Sequence, residues 1–126
     1  MATATYELHG IRIFDCPAEG PLLGNSQDAV ALIGDAFGQA AKLIVIPASR
    51  LSSDFFRLRT GMAGDMLQKF VTYGLKVAIL GDIEPHISAS TALRDFVTES
   101  NRGDAIWFVP SLDDLEKRLA PSPAPR

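Results

Sequence analysis

KLIVIP (42–47) is a run of apolar residues without polar alternation, opened by Lys42 and closed by Pro47. A strand with one face in water would alternate, so an unbroken run of this length reads as a strand covered on both faces. KVAILGD (76–82) and DAIWFVP (104–110) repeat the pattern, each preceded by sequence of helical character and each ending in a turn signal. Three such strands alternating with helices make parallel β-α-β units, with 42–47 at the centre of the sheet.

Upstream, TYELHG (5–10) and IRIFDC (11–16) alternate and meet at Gly10, which predicts a hairpin. PAEGPLLGN (17–25) is a loop, and Asn25 with Asp28 starts a helix that runs to about Ala40 and buries Val30, Ile33 and Phe37. Downstream, Ser88 or Ser90 opens SASTALRDFVTESN, whose Ala89, Ala92, Leu93, Phe96 and Val97 share one face and which closes at Asn101 or Gly103. Ser111 and Asp114 form a capping box for SLDDLEKRLA, with Leu112, Leu115 and Leu119 inward and Asp114 paired outward with Arg118. The predicted order is β-β-α-β-α-β-α-β-α. It describes a single layered α/β domain over 1–120 with a mostly parallel central sheet, followed by a disordered tail at 121–126.

The composition limits the function classes. With 126 residues, 47% hydrophobic and 21% charged, the chain has the make-up of one globular domain. A net charge of −3 with Lys and Arg scattered along the chain disfavours direct nucleic-acid binding, which calls for a basic patch. No apolar run approaches the roughly 20 residues of a bilayer span, so a soluble cytoplasmic protein without membrane contact is expected. Cys16 is the only cysteine, and with only His9 and His86 beside it no zinc spacing exists; a buried, inert thiol is expected, with no metal and no cofactor.

LSSDFFRLRTGMAG (51–64) sets the harder question. Were residues 55–73 one helix, Phe55, Phe56, Leu58, Met62, Met66, Phe70 and their neighbours would cover a very wide arc, with Arg59 near its middle. Burying that charge unpaired would cost several kcal/mol. Either the helix breaks near Thr60-Gly61, or Arg59 points into an interface or an anion-holding pocket. The break is the favoured reading, since Gly61 and Gly64 each cost about 1 kcal/mol inside a helix relative to Ala. The apolar width and the small residues also make Phe56, Gly61, Met62 and Gly64 candidates for a homodimer interface.

Ser49, Ser52 and Ser53 would act as nucleophiles only beside a base, and His86, in the loop after the next strand, is the one available. No G-x-S-x-G turn is present, and helix capping accounts for Ser52, Ser53 and Asp54 without chemistry. GDIEPHIS (81–88) places Asp82, Glu84 and His86 beyond a central strand, where open α/β sheets bind ligands; its bland reading is a solvated turn fixed by Pro85. ESNRG (99–103) sets Asn101 and Arg102 at a helix end, suited to an anion or simply to a C-terminal cap, and Asp95, Glu99 and Arg102 read as a surface charge network. No phosphate-binding glycine motif is present.

FFRLRTGMAGDMLQKF (55–70), KVAILGD and ALRDFVTESNRG (92–103) closely resemble bacterial domain-of-unknown-function family 4180, over roughly residues 26–110. The strings FF-x-L-x-T-G-x-A-G and E-S-N-R-G carry the likeness. It implies no particular chemistry, but members stand alone or follow a helix-turn-helix domain, which implies regulation. A looser resemblance, of element order and of a serine pair after a central strand, is to the STAS domains of sulfate transporters and anti-sigma-factor antagonists. It implies a protein-binding domain gated by phosphorylation, with Ser53 as phosphoacceptor and Ser52 its neighbour, although Leu51 and Asp54 replace that motif's aspartate and glycine.

The expectation is therefore a non-enzymatic, regulatory, STAS-like domain that contacts a protein partner or itself as a homodimer. The alternative is a small-molecule sensor or small enzyme, with Arg59, Asp82, His86, Asn101 and Arg102 around a pocket at the strand ends.

Overall fold

Successive strand residues point to opposite faces of a sheet, so a strand that is apolar throughout needs two covers. In the computed structural model, which describes residues 4–17 and 19–120, Ile44 and Ile46 face one layer and Leu43 and Val45 the other, all essentially inaccessible. They belong to β3 (Leu43–Pro47), the middle of a five-stranded sheet in the order β1-β2-β3-β4-β5. β1 (Ala4–Leu8) and β2 (Ile11–Asp15) form the antiparallel hairpin, while β4 (Lys76–Leu80) and β5 (Ile106–Val109) extend the sheet in parallel. The hairpin turns on His9 and Gly10, both at positive φ (51° and 82°), the geometry of a two-residue turn whose twist matches its strands.

Register aligns the rows that make the core. Phe14, Ile44 and Val77 sit side by side, as do Ile46, Ile79 and Phe108, and these rows pack beneath three helices. α1 (Ser26–Gly38) contributes Ala29, Leu32, Ile33 and Ala36; α2 (Met62–Thr72) contributes Ala63, Met66, Leu67 and Phe70; α4 (Thr91–Arg102) contributes Leu93 and Val97. Each fully buried Leu, Ile, Val, Met or Phe among them contributes about 1.5–3 kcal/mol through removal from water, and each alanine less. On the opposite face Ile13, Leu43, Val45, Ala78, Trp107 and Val109 pack with Leu115 of α5 (Leu112–Leu119), the last helix. Burial pushes the Tyr6 phenol, beside this second layer, up to about 12, with the Asp15 charge adding to the shift.

Several helix details depart from the sequence reading. The Asn25–Asp28 capping box is present, but α1 ends at Gly38, and Val30 and Phe37 are 50% and 51% exposed rather than buried. The buried stripe is Ala29-Leu32-Ile33-Ala36, which rotates Val30 and Phe37 outward; Phe37 instead meets Tyr73 edge-on at 6.2 Å. Leu112, expected inward, is exposed, because the helix rolls Leu115 beneath it. Ser111 caps α5 as expected, but Arg118 does not pair with Asp114: it donates to the Asn101 carbonyl and lies over the Trp107 ring at 4.8 Å. Within GDIEPHIS (81–88), whose bland reading is a turn, the chain instead enters a short helix, α3 (Glu84–Ala89), with Pro85 in its first turn, where a missing N–H costs nothing. Ser90, not Ser88, caps α4. The tail at 121–126 lies outside the described residues. No helix among those described is long and apolar enough to cross a membrane.

Candidate functional site

The crossover from β3 to α2 is not a helix but three short 3-10 turns, at Ala48–Arg50, Ser53–Phe56 and Leu58–Thr60. Gly61, at φ 78°, ends the last turn and starts α2 in the left-handed region, which costs glycine nothing. The break near Thr60-Gly61 therefore resolves the problem of Arg59. Freed from helical periodicity, Phe55 and Phe56 enter the core while Arg59 is exposed. Thr60 fastens the joint, its hydroxyl donating to the carbonyls of Asp54 (2.9 Å) and Arg57 (2.8 Å).

Beside this crossover, at the carboxyl ends of β3 and β4, runs an open groove of about 580 Å³. One wall is Ser53, Phe56, Arg57, Leu58 and Arg59; the other is Pro85, His86, Ala89, Ser90 and Ala92. The two walls meet where the His86 imidazole stacks on the Phe56 ring, 4.1 Å between centroids and 12° from parallel. Phe56 is edge-on to Phe55, 5.2 Å away, so the stack is rooted in the core. Arg57 lies 3.6 Å from Asp54, whereas Arg59 has no ion pair or hydrogen bond among the described residues. The first turn of α4, capped by Ser90 through the Leu93 N–H (3.1 Å), opens onto the same space.

The structure thus brings together Ser53, Phe56, Arg59 and His86, and keeps the other candidates apart. Ser52 is half-buried, and its hydroxyl accepts the Phe55 N–H (3.2 Å) as a cap. Gly24 leaves the room for it, since a Cβ there would sit 2.7 Å from the Ser52 oxygen. Asp82 accepts the Glu84 N–H (3.0 Å) at the start of α3 and lines a separate apolar cleft with Ile87, Val97 and Phe108. Asn101 is taken up by β5: its amide donates to the Phe108 carbonyl (3.2 Å) and its oxygen accepts the Phe108 N–H (2.7 Å). Arg102 pairs with Glu99 at 2.9 Å on the surface. Of the interface candidates, Phe56 is in the core, Gly61 serves the backbone, Met62 is half-buried and Gly64 is exposed. No hydrogen bond links Ser53 to His86, and the described residues hold no cluster of three or more metal-ligating side chains.

Arg50 was not singled out by the sequence and is the one buried charged residue described, 8% exposed. Its guanidinium donates to the carbonyls of Pro17 (2.7 Å), Glu19 (3.1 Å) and Pro21 (3.0 Å) and lies 3.7 Å from the Cys16 sulfur. Burial pushes the Cys16 thiol up, with Arg50 partly offsetting it, so this cysteine is a poor nucleophile. Arg50 ties the loop before α1 to the end of β3; a short parallel bridge between Leu23 and Leu51 completes the tie.

No curated protein and no solved structure matches the chain. Residues 8–119 match DUF4180, a domain of unknown function, and with nearly the whole fold inside the match the chain belongs to that family.

Proposed function

We propose that the protein is a non-enzymatic regulatory binding domain of STAS-like topology, acting in the bacterial cytoplasm, and that the groove between residues 53–59 and the α3–α4 junction is its binding surface. The observation that carries this reading is Arg59, an exposed guanidinium without a partner among the described residues, beside a ring stack anchored in the core. Such a groove, at the carboxyl ends of β3 and β4, attracts an anionic group from a partner protein or an organic acid. Catalysis is poorly served, because Ser52 is occupied as a cap and Ser53 has no hydrogen-bonded base. A thermal-shift screen of organic acids tests the reading. An occupant present at 100 times its dissociation constant should add about 2.7 kcal/mol of stability, and a ten-fold weakening by Arg59→Gln should cut that gain to about 1.4 kcal/mol. Gains that survive that substitution undiminished would count against the groove.

Self-association is a second reading, and the observation that favours it is the outward face of α1. Val30 and Phe37 stand exposed there with Tyr73 of the adjoining segment, while a Cβ added at Gly34 would meet nothing within the chain. Light scattering should report twice the monomer mass, returning to the monomer with Phe37→Glu; a monomer at high micromolar concentration would remove this reading.

A further inference from the structure

We infer that the occupant of the groove is a small aromatic carboxylate. This rests on the binding reading above and adds the class of ligand. The ring is called for by the stack: Phe55, Phe56 and His86 lead from the core to the groove, where the half-buried imidazole is the terminal ring. A flat ring laid against His86 continues the series at the offset-stacking distance that aromatic faces prefer. Leu58, Ala89 and Ala92 supply apolar walls that a bare inorganic anion would leave unused.

The single negative charge is called for by the count of free cations. Arg57 is already beside Asp54 at 3.6 Å, which leaves Arg59 as the one guanidinium lining the groove without an ion pair among the described residues. A planar guanidinium fork matches a carboxylate in two parallel hydrogen bonds, and one such fork calls for one such charge. The volume of about 580 Å³ is that of a metabolite-sized site and exceeds what an inorganic anion fills.

Three probes with one ring system separate the contributions: naphthoate, its neutral amide naphthamide, and the cation naphthylmethylamine, each titrated into the isotopically labelled full chain and followed by its amide spectrum. Naphthoate should saturate and move the resonances of Phe56, Arg59, His86 and Ala89. Naphthamide should bind the same residues more weakly, and the amine weakest. Arg59→Gln should weaken naphthoate about ten-fold and leave naphthamide unchanged, as expected for loss of one charge-assisted contact. Arg59→Lys should fall between, keeping the charge and losing the fork. Because Arg59 is exposed, both variants should keep the wild-type spectrum outside the groove.

Equal affinity for acid and amide, shifts that map elsewhere, or insensitivity to Arg59→Gln would each overturn the assignment. Hexaglutamate distinguishes the two levels of failure. If it moves the groove resonances and naphthoate does not, the aromatic carboxylate is wrong and the binding surface stands. Silence of those resonances to every probe overturns both.

Discussion

The crossover from β3 to α2 contains two arginines nine positions apart that meet opposite fates. Residues 47–52 are locked: Arg50 is buried, its donors shared among three carbonyls, and Leu51 bridges to Leu23. Residues 53–61 are held by their own turns, and Arg59 stands free at the groove. A guanidinium costs much to bury and is tolerated only where its donors are met. The first arginine therefore serves the fold, whereas the second has no ion pair or hydrogen bond among the described residues.

Substitutions can break that contrast. The largest effect should come from Arg50→Ala, which removes three charge-assisted hydrogen bonds and should cost about 3 kcal/mol in urea unfolding, with Arg50→Lys recovering only part of the loss. A destabilisation below about 1 kcal/mol would mean that the loop holds itself. Gly20 sharpens the point, since it sits at φ 137° and a Cβ there would come within 3.0 Å of the Arg50 guanidinium. Gly20→Ala should cost about 1–2 kcal/mol, and combined with Arg50→Ala it should be less than additive, because the clash leaves with the arginine.

A pH test addresses the sheet face remote from both arginines. The folded-state pKa of Tyr6 is about 12, above the ordinary value of 10.0. The folded state therefore keeps its proton where the unfolded state releases it, and stability should fall as pH rises from about 10 to about 12. Tyr6→Phe should remove that part of the alkaline loss, and an unchanged profile would show that the phenol does not contribute. The smallest effect on stability should be that of Arg59→Gln, within about 0.5 kcal/mol of wild type, even as it weakens carboxylate binding in the groove about ten-fold. Should Arg59→Gln destabilise as much as Arg50→Ala, the division of labour between the two arginines fails.

Much of the fold was legible because it is written in local patterns. The three unalternating runs specify strands with two covers, and Asn25-Asp28 and Ser111-Asp114 mark helix starts through side chains that reach their own backbone. The rotation of α1 was harder to read, because Val30, Ile33 and Phe37 form as good a stripe on paper as Ala29, Leu32, Ile33 and Ala36 do in space. Packing against α2 decides between them. Arg50 was illegible for a different reason: its partners are backbone carbonyls of residues 17–21, and backbone acceptors leave no trace in residue identity. Within the site, Arg59 stood out as an anomaly in a helical pattern, while nothing marked Arg57 or the helix-capping Ser90 as its neighbours, since only the fold brings 53–59 against the start of α4.

The sheet has one more consequence, in the order of its construction. Its strands lie side by side in the order in which they occur along the chain, and no later strand inserts between two earlier ones. During synthesis each β-α unit can dock onto an edge that is already present, so the layer beneath α1, α2 and α4 can be covered as it grows. On the opposite face the covering helix among the described residues is α5, which follows the fifth strand. Ile13, Leu43 and Val45 must therefore wait until all five strands have been made before Leu115 closes over that layer. A nascent chain halted before residue 112 would present a nearly complete sheet with one greasy side bare, a surface for chaperones rather than for partners.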